Sequence, residues 1–240
     1  MRVNERNMDK ALEKTRKYFN KNVGKIRTIR DLKQADISNA TRSALDTRVC
    51  GKVLDIGSGG RFDYALDDIT ELVALDVSVC SLKDSPRDKR IGRVVGDARR
   101  MSLKGDSFDR VVMLHLLHHL AGADLRSTQK NVSDCLKEAY RVLKSGGKAI
   151  IVDAFCSDTA LKIEDFLLPA LFLLFRICGK PMIRYFSFSE VTAMLDDIGF
   201  KDINFSRLDT GNAMLCPFSS SAGIPFKYTP VSHILIEGIK

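Results

Sequence analysis

The chain has 240 residues, 45% of them hydrophobic and 28% charged, and carries a formal net charge of +8. That length and apolar share support one large domain with a substantial core, which excludes a disordered chain and a small fold stapled by disulfides or metal. The charge is uneven: residues 1–50 hold thirteen Lys and Arg against six Asp and Glu, so +7 of the +8 precedes the first predicted strand.

That basic arm reads either as a solvated helix face or as an attractor of phosphate, anionic lipid or nucleic acid. Residues 8–23 (MDKALEKTRKYFNKNV) set Leu12, Tyr18, Phe19 and Val23 among charges, an amphipathic helical pattern, and residues 25–48 predict further short helices. The chain then changes character. Apolar, β-rich runs recur at 52–56, 72–77, 93–95, 110–114 and 149–152, with helical patterns between most of them, the clearest at 131–143. Strands alternating with helices predict βαβ units and a parallel sheet with right-handed crossovers.

Residues 143–148 (LKSGGK) predict a glycine C-cap that turns into the fifth strand. A hydrophobic insertion follows, from about 155 to 186. Its longest apolar run, 166–178 (FLLPALFLLFRIC), is too short to span a bilayer, contains Pro169 and is broken by Arg176, so it predicts a buried helix or an apolar cap. Ser187 to Glu190 (SFSE) form a capping box for a helix through Leu195 that stops at Gly199. Residues 202–208 and 231–239 predict the last two strands, joined by a long loop that holds Ser219 to Ser221. The six cysteines are scattered without a Cys-x-x-Cys pair and no signal peptide or transmembrane segment is legible, so a reduced, cytoplasmic setting is expected.

Val53 to Phe62 read VLDIGSGGRF, three glycines in a turn after a buried strand and ahead of an expected helix. Such a turn lets backbone N–H groups approach a ligand closely, with Asp55 inside the strand orienting it. Its weight comes from Asp76, which ends the second strand (LVALD) about twenty residues on, where a carboxylate can accept both hydroxyls of a ribose. The plainer alternatives are that Asp76 caps a helix and that Asp97 is a turn aspartate. Together the turn and Asp76 predict an adenosine-type cofactor, and nicotinamide and S-adenosylmethionine sites share this layout.

Three later stretches separate the two: Gly96-Asp97-Ala98 after the third strand, Phe108 to Leu114 (FDRVVML) as the fourth, and Tyr140 to Gly147 (YRVLKSGG) leading into the fifth. This order and spacing resembles the class I S-adenosylmethionine-dependent methyltransferases, in particular the small-molecule branch that includes ubiquinone and menaquinone biosynthesis enzymes, over residues 53–200. The resemblance implies a Rossmann-like, doubly wound α/β fold with a seven-stranded sheet, mostly parallel with an antiparallel last strand. It also implies an N-terminal helical lid (1–48) and a methyltransferase domain (49–240) carrying the cap insertion. The cofactor it implies is S-adenosyl-L-methionine, leaving as S-adenosyl-L-homocysteine. The implied cofactor site comprises Asp55, Gly57, Ser58, Gly59, Gly60, Asp76, Val77, Gly96, Asp97, Ala98 and Leu114, with Asp97 facing the adenine.

Members of that family usually read Gly-x-Gly-x-Gly, often followed by Arg-Phe, whereas Gly57-Ser-Gly59-Gly60-Arg61-Phe62 stands here. Either the turn is one residue shorter and Gly60 takes the third glycine's place, or Arg61 replaces that glycine. The shorter turn is preferred, because Arg-Phe then keeps its usual position.

Three of the four histidines lie in LHLLHHL, residues 114–120. His115 and His119 are four apart, as metal ligands on a helix face would be, yet no nearby Cys or Glu completes a set, and no metal is expected. Methyl transfer to oxygen is an in-line displacement that needs alignment and a base when the acceptor is protonated. His115 is the first candidate, His118 and His119 follow, and simple packing is the competing role; His233 reads as structural. The resemblance places the acceptor under the N-terminal helices, with Tyr18 and Phe19, and under the 155–186 insertion; Arg27, Arg30, Arg176 and Arg184 are candidate anion contacts. The expected function is methyl transfer to a small-molecule acceptor, oxygen preferred, on an aromatic or acidic metabolite. An RNA or other nucleic-acid methyltransferase and a non-catalytic cofactor-binding protein are the alternatives, with a nicotinamide dehydrogenase behind them. No stable nucleic-acid partner is expected, since no nucleic-acid module is appended.

Overall fold

The computed structural model describes residues 2–178, 181–211, 213–215, 224–225 and 229–240. Its centre is a sheet of β1 (Gly51–Ile56), β2 (Ile69–Asp76), β3 (Ile91–Val95), β4 (Phe108–Leu114), β5 (Leu143–Cys156), β7 (Lys201–Arg207) and β10 (Val231–Ile239), in the order β3-β2-β1-β4-β5-β10-β7. The first five strands are parallel, and β10 runs antiparallel to both β5 and β7. A two-residue strand, β6 (Phe186–Ser187), adds to β5 beside Phe155 and Cys156, and β8 (Met214–Leu215) pairs with β9 (Ile224–Pro225) apart from the main sheet. This is the mixed α/β sheet the sequence predicts, with β6 as an extra short strand.

The central strands β1, β4 and β5 bury both faces, so their side chains sort by alternation into two cores, while the edge strands β3 and β7 are largely exposed. Leu54 and Ile56 of β1, Val111 and Met113 of β4 and Ala149 and Ile151 of β5 meet α4 (Leu125–Val142) and α6 (Phe188–Ile198) on one face. Val53, Val112, Ile150 and Val152 face the other core, with Leu45 of α2 (Ala35–Leu45) and Tyr64. α4 earns its place through Thr128, Asn131, Cys135, Leu136, Ala139 and Val142, a stripe at helical spacing, and through a capping box made by Asp124 and Ser127. α6 starts on the predicted Ser187–Glu190 capping box and stops where Gly199 turns left-handed, φ 110°.

Three local expectations fail, and a fourth is narrowed. The predicted run of short helices after residue 25 is instead the continuation of one helix, α1 (Arg2–Lys33), with α2 following after a single residue. No helix follows the glycine turn: residues 57–68 make only turns before β2 begins. The break after α4 is not a glycine cap, because Leu143 itself goes extended (φ −67°, ψ 140°) and starts β5, while Gly146 donates its N–H to the Lys240 carbonyl. Of the two readings of the apolar run, a buried helix or an apolar cap, the first does not hold: α5 (Asp158–Ile177) leaves Ile163, Phe166, Leu167, Leu173, Leu174 and Ile177 exposed.

Candidate active site

Strand order reverses between β1 and β4, each of which continues outward on its own side, and at that switch point an open parallel sheet leaves a crevice at the strands' C-terminal ends. A cavity of about 350 Å³ occupies it, roofed by α1. α1 is docked there by polar contacts: Asn20 Oδ1 accepts from Ser78 Oγ (2.8 Å) and the Cys80 N–H (3.3 Å), Arg27 pairs with Asp84, and Arg30 with Asp63.

The turn after β1 forms the floor. Gly57 and Ser58 donate their N–H groups to the Leu75 carbonyl, and Gly59 donates to Asp76 Oδ2 at 2.9 Å. Gly60 donates to Ser58 Oγ and Arg61 to the Ser58 carbonyl. Every N–H of the turn is thus spoken for within the protein, and no helix N-terminus follows, so the cradle that a dinucleotide pyrophosphate requires is missing. A Cβ at Gly59 would enter open space, whereas one at Gly57 would meet Leu116 Cδ1 at 2.6 Å. Asp76 also accepts the Ser78 N–H at 2.8 Å, so each of its oxygens holds one backbone donor and keeps a second lone pair for a ligand. Burial raises its pKa despite those donors.

Asp55 sits beneath the turn. Tyr64 donates its hydroxyl to Asp55 Oδ2 at 2.5 Å, while Oδ1 is buried without a partner. Burial pushes the Asp55 carboxyl up to about 7, against the Tyr64 hydrogen bond, with Asp76 and Asp63 adding to the rise. A buried acceptor left open beside a cavity suits a cationic ligand group.

On the β4 side, His115 takes a left-handed backbone (φ 53°), an uncommon strained conformation for a residue that is not glycine, pinned by its N–H to the Val152 carbonyl at 2.7 Å. Its ring meets His233 edge-on at 5.5 Å, and its Nε2 is buried without a hydrogen bond. Burial drives His115 down to about 3, His119 well below the usual imidazole range and His233 to about 4, so these three rings are neutral near pH 7. His118 differs. It lies on a single 3₁₀ turn (Leu117–His119), and its Nδ1 is 2.6 Å from Oδ1 of Asp153, near the end of β5 before Cys156. Asp153 is buried and accepts the N–H groups of Leu117 and Ala154, each at 2.7 Å. Burial would raise its pKa, yet His118, then His115 and the Ala154 N–H, hold the carboxyl well below the usual range.

The cavity collects most of the residues predicted for the site: Asp55, Gly57, Ser58, Gly59, Asp76, Val77, Gly96, Asp97, Ala98, Leu114, His115, His118, His119, Tyr18 and Phe19 all line it. Two do not reach it. Gly60 packs under α3 (Val79–Leu82), where a Cβ would fall on the Ser81 carbonyl oxygen. Arg184 is buried in the other direction, its guanidinium held by Asp165 and Glu190 over the Phe186 ring; the Arg176 side chain lies outside the described residues. Asp97 lines the cavity, but Arg99 grips both its oxygens, at 3.0 and 2.8 Å, and turns on to Asn131. Sequence reasoning missed Asp153, although an aspartate directly after the apolar run 149–152, at a strand's C-terminal end, was a visible signal. Tyr64 carried no such signal.

Residues 54–151 match the methyltransferase domain family. Among curated proteins none matches the chain. Among solved structures, the chain is similar to one from a complex between the Haloferax volcanii Trm112 methyltransferase activator and a methyltransferase: 16% identity, TM-score 0.68, covering 94% of this chain and 96% of that one. It is also similar to a SAM-dependent methyltransferase from Thermotoga maritima: 19% identity, TM-score 0.60, 94% and 99% covered. A third is Haemonchus contortus phosphoethanolamine N-methyltransferase 2 in complex with S-adenosyl-L-methionine: 14% identity, TM-score 0.60, 94% of this chain and 60% of that one. At these identities the three solved structures speak to the fold.

Proposed function

We propose that this chain, an S-adenosylmethionine-dependent methyltransferase of the class I fold, transfers the methyl group to a hydroxyl oxygen of a small aromatic acceptor, with His118 as the base. The 2.6 Å contact between His118 and Asp153 carries the reading. A carboxylate held deprotonated can only accept, so Nδ1 presents its proton to Asp153, and in the neutral imidazole it is Nε2 that carries the lone pair to take a proton from the acceptor. His115, the first candidate from sequence, has no carboxylate behind it.

The residues present fit the cofactor. Asp76 offers its spare lone pairs to the ribose hydroxyls, the open Asp55 Oδ1 suits an ammonium group, and Gly59 leaves space where a side chain would intrude. When bound, S-adenosylmethionine supplies a methyl group on a positively charged sulfur. The turn's lack of free N–H donors counts against a dinucleotide in the same place. Above His118, the lining is apolar and aromatic: Tyr18, Phe19, Leu116, Leu120, Ile183 and Tyr185. Arg27 borders it with a buried Nη2 that has no hydrogen-bond partner, suited to an acidic group on the acceptor. Residues 1–48 then act as the lid and 155–186 as the cap, since α1 and residues 181–185 close over the cavity.

The reading is tested with a panel of phenols and hydroxybenzoates, following S-adenosylhomocysteine release. Turnover on an acidic phenol supports it; transfer to RNA with steep salt dependence would replace it with the nucleic-acid alternative. Binding of the cofactor with no turnover on either would favour the non-catalytic one.

Two predictions concern the cofactor alone. Calorimetric titration with S-adenosylmethionine should show Asp76→Ala weakening affinity by at least about tenfold, since hydrogen bonds to a charged group are lost. The second uses Asp55. Its pKa of about 7 means that binding a cation first requires a proton to leave. Affinity should therefore rise with pH towards 7 and level off above it, falling by up to about tenfold per unit below. A flat profile between pH 5 and 7 would remove Asp55 from the ammonium site.

A further inference from the structure

α5 has its amphipathic pattern turned outward. Ile163, Phe166, Leu167, Ala170, Leu173, Leu174, Ile177 and the adjoining Cys178 are all exposed, Phe166 at 84% and Ile177 at 74%. At helical spacing these residues fall within one arc of about 140° that holds no charged side chain. On the opposite side Asp165 pairs with buried Arg184, and Leu161 is in the core. A helix of a water-facing protein shows the reverse arrangement.

A second stripe lies beside it. Lys10, Lys14, Lys17, Lys21 and Lys25 recur on α1 at spacings of three and four, which places them within about 80° of one another. Lys14 Nζ reaches the Phe175 carbonyl oxygen of α5 at 3.5 Å, so the cationic stripe abuts the apolar one. No helix among the described residues is long and apolar enough to cross a membrane.

We propose that α5 and the lysine stripe of α1 dock this protein onto the surface of an anionic lipid bilayer, α5 lying in the interface with its apolar arc among the acyl chains. The chemistry requires both parts: an apolar arc to enter the interface and adjacent cations to meet acidic headgroups. Nucleic acid would use the lysines and leave the arc bare. Phe175 lines the cavity while its neighbours Leu173, Leu174 and Ile177 face outward, so docking brings the bilayer to the cavity's rim and an acceptor dissolved in lipid to the methyl-transfer site. The surface itself is independent of which atom is methylated.

The test is sedimentation of the full chain with vesicles of phosphatidylcholine alone or mixed equally with phosphatidylglycerol. Expected are binding to the anionic vesicles, weakened at high salt, and a loss of at least about tenfold in partitioning for Phe166→Glu/Ile177→Glu and for Lys10→Glu/Lys17→Glu/Lys21→Glu. Both variants should retain wild-type affinity for S-adenosylmethionine, which shows that they are folded. Equal binding to neutral and anionic vesicles, or none to either, overturns the proposal. So does a wild-type dimer in solution that the Phe166→Glu/Ile177→Glu pair dissociates, because the arc would then belong to a second copy of the chain.

Discussion

Asp153→Asn is expected to lower the methyl-transfer rate by about 10²–10⁴-fold while leaving the affinity for S-adenosylmethionine within a few-fold. The carboxylate fixes which ring nitrogen of His118 carries the proton, and an amide can present its NH₂ to Nδ1 instead, holding the wrong tautomer. His118→Ala should give a loss of the same size, and the double variant little more, because the two groups act as a unit. Asp153 also accepts two buried N–H groups, so the amide costs stability, about 1–3 kcal/mol, and melting must be followed beside the rate. His118→Ala leaves those two bonds intact and separates the effects. Rates within threefold of wild type for both variants, on an acceptor that turns over, would remove the base and leave alignment as the whole contribution of this side of the cavity.

The sign of the pH dependence of stability differs between the two buried aspartates. Asp153 is held deprotonated in the fold, so its contribution is present above the ordinary carboxyl pKa and is lost as pH falls below it. Asp55 is raised to about 7, so in the cofactor-free protein its burial costs progressively more stability as pH rises from about 4 to about 7.

How much of this was legible depends on the range over which each signal acts. The central parallel strands could be read because both their faces are buried, which forces short continuous apolar runs, while the edge strand β3 buries little beyond Ile91. Asp76 and the glycines could be read because they stand at strand ends. Likewise, the Ser187–Glu190 box is local, four residues that satisfy each other's donors. The pairing of His118 with Asp153 was not legible because it spans 35 residues: β4 and β5 lie side by side with Leu114 opposite Val152, and only that register brings His118 to Asp153. Arg184 failed similarly. Nothing near it in sequence shows that Asp165 and Glu190 close around its guanidinium, and with both carboxylates there it has no reason to face the cavity. The apolar run of α5 could be read as apolar, but whether it was buried or a cap stayed open, because composition does not say which way a stripe faces.

Gly60→Ala is expected to destabilise the protein by roughly 3 kcal/mol or more and to abolish cofactor binding with it, although Gly60 does not touch the cavity. The backbone there is left-handed, φ 73°, which costs a residue with a Cβ about 1–2 kcal/mol. The added atom would also fall on the Ser81 carbonyl, a backbone group of α3 that can move only by dragging the helix. Ser78, the N-cap of that helix, donates to Asp76 Oδ1 through its N–H and to Asn20 of α1 through its hydroxyl, so the displacement would pass to Asp76 and to the roof of the cavity together. Arg61, by contrast, points out to Asp31 of α1 in a pair that is about half exposed on both sides, and Arg61→Ala should cost no more than about 1 kcal/mol. The contrast bears on the irregular Gly-Ser-Gly-Gly-Arg sequence. If Gly60 is the glycine that helix packing demands, the turn is the shorter one and Arg61 stands outside it, paired with Asp31 beside the cavity it helps to line. Chemical denaturation of the two variants checks this: a tolerated Gly60→Ala beside a damaging Arg61→Ala would put Arg61 in the glycine's role instead.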